Sequence, residues 1–265
     1  MLSYGISTFA TFEKSVEQGI EELIRNDWKY IEIMADGPGE EILTWSREKL
    51  AIINRLIENE GVELAIHAPI FTMDLGSSDK KIQEKSEYIL QKCFAIGNVF
   101  NSPYVLTHLG TNQDISFGLE LASERIDKLL NTDPGMTLVI ENVPPMPTLL
   151  GTNGNELLQV IDKVGHERLR VAFDTGHANI VRTPSVAPIE QFMALEKYIS
   201  VVHISDNNGT DDDHYQAGKG NFPWDKWMKE LQHIKQDVKL LMETKSIEEG
   251  AASKEFLGQV GYLRE

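Results

Sequence analysis

The chain has one cysteine, Cys93, among its 265 residues, and it has no long hydrophobic run. A single cysteine excludes an intramolecular disulfide bond and is typical of proteins from reducing compartments. No stretch of 18 consecutive apolar residues occurs, and the N-terminus lacks a basic segment followed by a long apolar one. These absences predict a cytoplasmic protein that has no membrane partner.

Basic residues are also scarce. Lysine and arginine together number 25 against 41 aspartates and glutamates, which gives a formal net charge of -16, and no arginine occurs from Thr183 to Leu263. Proteins that bind nucleic acid by neutralising its phosphates usually present a basic face. The composition therefore argues against a nucleic-acid partner, and bound cations would offset part of the acidity.

What the sequence does contain is a regular alternation of short apolar runs and helical patterns. The first run is not followed by the glycine fingerprint of a dinucleotide site, so we expect no nucleotide cofactor. Eight units of strand then helix in this length predict an α/β fold, a single (β/α)8 TIM barrel that occupies residues 1–265 as one domain. The predicted strands are Leu2–Ser7, Tyr30–Met34, Glu63–His67, Tyr104–His108, Thr137–Glu141, Arg170–Asp174, Ser200–His203 and Val238–Glu243.

Ionisable residues follow six successive predicted strands at the point where each strand ends. In a barrel these ends meet on one face, where the active sites of such folds lie. Five of the seven histidines fall at these ends or in the loop just after them. Imidazole and carboxylate ligands without thiolate suit zinc, manganese or iron. The strand-end residues are His67, His108, Glu141, Asp174, His177, His203 and Glu243.

The stretch from Val201 to Gly220 adds an acidic, glycine-rich loop directly after the seventh strand. Alone it is typical of a solvated surface loop. Beside the other strand ends it becomes a second source of metal ligands. The sequence leaves open whether Asp211, Asp212 or Asp213 joins His214 there.

With these residues in place, the chain resembles the xylose-isomerase-like barrel superfamily, which contains sugar and sugar-phosphate isomerases and epimerases and also endonuclease IV, the apurinic-site nuclease. The similarity covers nearly all of the chain. The epimerase branch holds one divalent metal with a Glu, Asp, His, Glu pattern. The matching residues here are Glu141, Asp174, His203 and Glu243.

The endonuclease IV pattern adds ligands for a three-zinc cluster, and the chain is similar to that fuller set too. The resemblance implies that His67 and His108 join Glu141 at one metal. Glu141 then bridges to a second metal at Asp174, His203 and Glu243. A third is implied at His177, Asp212 and His214, because Asp212-x-His214-x-x-x-Gly218-x-Gly220-Asn221 is similar to the third-zinc loop of the nucleases.

The chain departs from each of these two patterns, which leaves open whether it belongs with the epimerases or with the nucleases. After Glu141 the chain reads NVPPMP, which differs from the corresponding turn of the nucleases, and it has no arginine-rich loops for DNA. The ketose epimerases place an arginine shortly after the histidine of strand seven, whereas Ser205 to Gly209 contains none.

The first function implied by the resemblance is divalent-metal-dependent isomerisation or epimerisation of a sugar or sugar-phosphate-like polyol through an enediolate. One to three zinc or manganese ions would take part, with Glu141 and Glu243 as the acid and base and with His177 orienting a substrate hydroxyl. The alternative is an endonuclease-IV-like multinuclear zinc hydrolase of apurinic sites or small phosphoesters. A third is a barrel that binds metal or a ligand without turnover. The oligomeric state stays open.

Three aromatic residues and one cation are candidates for substrate contact in the loops. Trp45, Phe71 and Tyr215 are expected to offer packing surfaces for a sugar, and Lys219 is expected to be the cation nearest the site.

Overall fold

Eight parallel strands close into a barrel in the computed structural model, which describes residues 3–133, 135–181, 187–234 and 236–260. Each strand pairs with its neighbours along the chain, and the eighth pairs with the first. The predicted (β/α)8 TIM barrel is thereby confirmed. The strands are β1 (Ser3–Ser7), β2 (Tyr30–Met34), β3 (Glu63–His67), β4 (Val105–Thr107), β5 (Leu138–Glu141), β6 (Leu169–Asp174), β7 (Ile199–Ile204) and β8 (Lys239–Met242).

Helices connect the strands on the outside of the barrel, and among the described residues none is long and apolar enough to cross a membrane. Leu2, where the predicted first strand begins, lies outside the described residues. The helices are α1 (Val16–Arg25), α2 (Arg47–Glu60), α3 (Lys80–Phe100), α4 (Ile115–Thr132), α5 (Gly154–Val164), α6 (Thr175–Asn179), α7 (Pro188–Leu195), α8 (Trp224–Leu231) and α9 (Ile247–Gln259).

Three short elements were not predicted from the sequence pattern, the first of which is the 3-10 helix Thr8–Thr11 after β1. The 3-10 helix Gly37–Thr44 follows β2, where the carboxylate of Asp36 accepts a hydrogen bond from the Gly37 amide and Pro38 suits a first helical turn. The five-residue helix α6 follows β6 directly and is capped by Asp174, whose side chain accepts from the amide of His177. Helix α6 carries His177 one turn beyond the strand end.

An apolar layer fills the barrel interior below the ends of the strands. It is separate from the larger core, which packs the strands against the surrounding helices. Alternate strand residues point to the same face, so the residue two positions after each member also points inward. The interior layer consists of Tyr30, Ala65, Tyr104, Leu106, Val139, Ala172, Val201 and Leu241.

This alternation aims the ionisable residues at one another. Seven of the interior positions are followed, two residues later, by a histidine or a carboxylate; in β2 this residue is Glu32, and in the other six cases it falls at or just after the end of a strand. The side chains above the apolar layer are therefore polar, and they stand at the carboxyl ends of the strands. They are His67, His108, Glu141, Asp174, His203 and Glu243.

Candidate metal centre

Nine histidine, aspartate and glutamate side chains, with Glu141 counted once, form three groups at the carboxyl ends of the strands. Within each group the ligand atoms lie within 4.8 Å of one another. The resemblance implied the same grouping. We refer to them as the inner group (Glu141, Asp174, His203 and Glu243), the side group (His67, His108 and Glu141) and the outer group (His177, Asp212 and His214).

The inner group is supplied by four strands and is almost completely buried. Asp174 and His203 are partners in the register of β6 and β7, and Glu243 directly follows β8. The Nδ1 atom of His203 lies 2.8 Å from Oε1 of Glu141 and 3.0 Å from Oε2 of Glu243. No side chain of the group is more than 3% exposed. Ligand atoms from four directions thus converge where water has little access.

The side group shares Glu141 with the inner group. The Nε2 atoms of His67 and His108 lie 3.3 Å and 3.0 Å from Oε2 of Glu141. The other oxygen of this carboxylate, Oε1, faces His203. One carboxylate therefore presents one oxygen to each group, which is the arrangement of a bridging ligand.

The outer group lies nearer the mouth of the barrel. Oδ2 of Asp212 lies 3.2 Å from Nε2 of His177 and 3.1 Å from Nε2 of His214. The exposed fraction of the side chain is 7% for His177, 15% for His214 and 29% for Asp212. Among the three aspartates that the sequence left open, the structure places Asp212 in this group, and Asp211 and Asp213 are not part of it.

The loop that carries Asp212 and His214 is held from beneath by Asp206. One oxygen of this buried carboxylate accepts hydrogen bonds from the amide of Gly218 and the indole N–H of Trp224, at 2.9 and 2.8 Å. The other accepts from the amide of Phe222 at 3.1 Å. Asp206 therefore has a structural role in fixing the loop.

Backbone carbonyls orient three of the histidine rings. A carbonyl oxygen accepts and cannot donate, so the facing Nδ1 carries the proton and the Nε2 lone pair is left for the group. Such outer contacts fix the tautomer of metal-binding histidines. His67 Nδ1 lies 2.8 Å from the oxygen of Ala68, His177 Nδ1 2.8 Å from Asn142, and His214 Nδ1 3.1 Å from Glu243.

A carboxylate orients the fourth ring. Glu32 is fully buried in the barrel, and its Oε1 lies 3.1 Å from Nε2 of His203. Its Oε2 accepts a hydrogen bond of 2.6 Å from the hydroxyl of Tyr104. This contact favours a proton on Nε2 of His203 and a lone pair on Nδ1, which faces the inner group. Glu32 alternates along β2 with Ile31 and Ile33, which pack in the outer core, so its side chain points into the barrel.

The contact of Glu32 with His203 and the role of Tyr104 were not predicted from the sequence. The sequence does contain one signal for Glu32. It stands two residues after the interior residue Tyr30 in β2, so its side chain also points into the barrel. The pairing with His203 depends on barrel closure and cannot be derived from local spacing.

Burial and charge strongly shift the ionisation of the inner group. Burial raises the pKa of Glu141, but the charge of His203 and the hydrogen bond with His108 outweigh it and lower that pKa well below its usual range. Burial also raises the pKa of Glu243, but the charge of His203 outweighs this effect and lowers that pKa to about 2.

The histidine and aspartate partners shift in the opposite direction. Burial lowers the pKa of His203, but Glu141, Glu32 and Glu243 together raise it well above the ordinary value. Burial raises the pKa of Asp174 to about 7, and the charge of His177 offsets this only in part. In this arrangement, protonated histidines balance the negative charge of the carboxylates. A bound divalent cation would replace that positive charge, and the histidine rings would then be neutral.

Four ligand atoms of these groups are buried and have no hydrogen-bond partner among the described residues. Leaving such atoms unpaired costs free energy, so a native structure normally provides a partner for them. Because the unpaired atoms lie within the metal-ligand groups and combine imidazole with carboxylate, the residues fit a divalent cation such as zinc or manganese. The atoms are Oε1 of Glu141, Oδ2 of Asp174, Nδ1 of His203 and Oδ1 of Asp212.

A cavity of about 810 Å³ opens above the groups. Phe71 lines it, as expected, whereas Trp45 and Tyr215 are not among its lining residues. Trp45 instead packs against the core beside Lys49. The cation expected nearest the site, Lys219, is likewise not in the wall, and Lys85 of α3 lies there. Helix α3 reaches the cavity from the side, which the strand-end pattern could not reveal.

Comparison with known proteins agrees with this architecture. Residues 20–260 match the family model of the xylose isomerase-like TIM barrel, and the chain belongs to that family. An uncharacterized protein of Methanocaldococcus jannaschii is 24% identical over 97% of this chain and 88% of its own length. A probable endonuclease 4 of Natranaerobius thermophilus is 30% identical over 60% of this chain and 61% of its own length.

Among solved structures, a D-tagatose 3-epimerase-like protein superposes with a TM-score of 0.87 at 24% identity, over 98% of this chain and 97% of that one. At this identity the likeness shows the fold alone. The chain is thus similar in fold to a protein named as epimerase-like and in sequence to one named as a probable endonuclease.

Proposed function

We propose that the protein is a divalent-metal-dependent isomerase or epimerase that acts on a sugar or sugar-phosphate-like polyol. The observation that carries the proposal is the position of Glu141 and Glu243. They come from non-adjacent strands, and both lie within 3.0 Å of the same nitrogen of His203 at the floor of the cavity. The similarity to the D-tagatose 3-epimerase-like protein supports it.

The inner group provides the residues for moving a proton to and from carbon. A divalent cation held there, zinc or manganese, would polarise a substrate carbonyl and make the neighbouring C–H bond more acidic. As carboxylates, Glu141 and Glu243 can each accept that proton. Return of a proton by the other glutamate, from a different side, would invert the carbon.

His177 is placed to orient the substrate. Its Nδ1 is fixed by the carbonyl of Asn142, and the ring lines the cavity. We propose that His177 binds a substrate hydroxyl. Its ring enters the cavity from α6, above the strand ends that form the floor, and so lies beside a substrate held at the inner group.

Solvent exchange tests the proposal even though the sugar is unidentified. The zinc- or manganese-loaded protein is incubated with a panel of ketoses and aldoses in D2O, and NMR records deuterium entering the carbon next to the carbonyl. We expect exchange with at least one sugar, and we expect Glu141→Gln and Glu243→Gln to abolish it. The exposed Glu48→Gln serves as the matched control. Exchange that survives both inner-group variants would contradict the assignment.

The outer group favours a second candidate, a multinuclear zinc phosphoesterase. Together with the bridging position of Glu141, it yields three ligand groups in contact, more than a single-metal isomerase needs. The similarity to probable endonuclease 4 supports this alternative and keeps nucleic acid among the ligands to test. Cleavage of an abasic oligonucleotide or of a small phosphoester, lost in His214→Ala, would establish it. Binding through DNA phosphates must also weaken as salt is raised.

A further inference from the structure

We propose that the substrate carries an apolar, preferably aromatic, group next to the oxygen atoms that reach the inner group. The substrate class would be a neutral polyol joined to an aryl or alkyl substituent. This inference rests on the proposed function, because it describes the remainder of the molecule that the same site would convert.

The wall of the cavity above the metal-ligand groups is mainly apolar. Its side chains come from the loops after β1, β3 and β5 and include Phe9, Phe12, Ile70, Phe71, Met73 and Met146. The apolar surface begins at the outer group itself, since the ring centroid of Phe9 lies 4.8 Å from that of His214 and 5.9 Å from that of Phe12. A ligand that reaches the floor must pass along this surface.

The same wall exposes large apolar side chains to water. Nine large hydrophobic residues are exposed in the part of the chain that the structure describes, and four of them line this cavity. Such clustering marks a binding surface, whereas isolated exposed residues carry no such meaning. The four are Phe12 (37% exposed), Phe71 (88%), Ile82 (42%) and Met146 (57%).

Among the described residues, two carboxylates of the wall lie outside the metal-ligand groups, and both hold the loops in place. Asp36 accepts hydrogen bonds from the backbone amides of Ile70 and Phe71. Asp74 accepts from the amide and hydroxyl of Thr111, at 2.9 and 2.6 Å. The loop that carries Phe71 is therefore fixed in place, and both acids hold the loops of the wall.

Charge in the wall argues for a neutral substituent. Among the described residues, Lys85 is the one lysine or arginine that lines the cavity, and it is exposed on α3. Phosphate sites in proteins usually combine several donors or a bidentate arginine. One lysine near the acidic residues of the floor does not provide that, whereas the apolar wall provides ample contact for a ring.

The shape of the surface favours a small molecule over a second copy of the chain. The four exposed residues surround a concavity with polar groups at its base, and its volume of about 810 Å³ is within the range of sites for drug-sized ligands. A ligand with a chelating end and an apolar end matches both parts of this surface.

Two hydroxamic acids provide a direct test, because both chelate a divalent cation through adjacent oxygens and they differ in one apolar group. Isothermal titration calorimetry on the zinc-loaded protein compares acetohydroxamic acid with 3-phenylpropanohydroxamic acid. We expect the phenyl compound to bind about tenfold tighter or more. Phe71→Ser and Met146→Ser should remove most of that advantage. Phe117→Ser, an exposed phenylalanine of α4 outside the wall, should preserve it.

The outcomes separate the two proposals. Equal affinity for the two compounds would overturn the apolar substituent while leaving the metal centre intact. Failure of both compounds to bind would overturn the proposed function and this inference with it. If Phe71→Ser changes the oligomeric state measured by light scattering and leaves the phenyl advantage unchanged, the surface belongs to a contact between copies and the inference is wrong.

Discussion

The inner and outer groups contain the same residue types but are built differently. The inner group stands on strand ends, is fixed by the barrel ladder and is almost fully buried, whereas the outer group stands on α6 and on the loop after β7 and is partly exposed. Strand ends cannot move without disturbing the barrel, but loops tolerate change. We therefore expect substitutions in the inner group to have larger effects than substitutions in the outer group.

The largest effect is expected where two groups depend on one residue. Glu141→Gln removes the carboxylate that faces both the inner and the side group, so it should lower turnover by about 10³-fold or more. Glu63→Gln, an exposed glutamate paired with Lys239, is the control. NMR of substrate conversion provides the measurement, with circular dichroism to show that the variant is folded. A variant that keeps turnover within tenfold would contradict the shared role of Glu141.

A smaller effect is expected from the positioning of His203. Glu32→Gln withdraws the charge that favours the required tautomer, and outer contacts of this kind are worth about 10–100-fold in metal affinity. Competition with a chromophoric chelator measures the affinity, and the nitrogen chemical shifts of His203 report its tautomer. Tyr104→Phe should act in the same direction, because it removes the hydrogen bond to Glu32. Unchanged affinity and tautomer would show that Glu32 has no positioning role.

The smallest effect on isomerisation is expected from the outer group. Because the ion pair of His214 is with Asp212 of the outer group, His214→Ala should lower metal affinity at the outer group and reduce sugar turnover less than tenfold. Activity assays on the same preparation used for metal analysis provide the comparison. Complete loss, equal to that of Glu141→Gln, would favour the hydrolase alternative.

These two regions also differ in how far the sequence predicts them. The strand-end residues follow from periodicity, since an inward side chain two positions after an interior residue does not depend on distant contacts. The fold follows from the same periodicity, and the three groupings follow from the resemblance. In the outer loop the register among Asp211, Asp212 and Asp213 depends on turns whose φ values, such as 48° at His214, have no simple sequence pattern.

Other parts depended on tertiary contacts. The pairing of Glu32 with His203 arises only when β2 and β7 face each other across the closed barrel. Lys85 reaches the cavity because α3 packs beside it, and Lys219 is not in the wall although it is closer in sequence to the ligand loop. Such contacts join residues far apart in the chain, so local patterns do not contain them.

Metal analysis of protein purified without added metal tests the central claim most directly, namely that the inner group holds a catalytic cation independently of the outer group. We predict at least one tightly bound zinc or manganese ion per chain in the unmodified protein and in His214→Ala, and loss of that ion in Asp174→Asn. Absence of metal from the unmodified protein, or retention of full metal content in Asp174→Asn, would contradict the account.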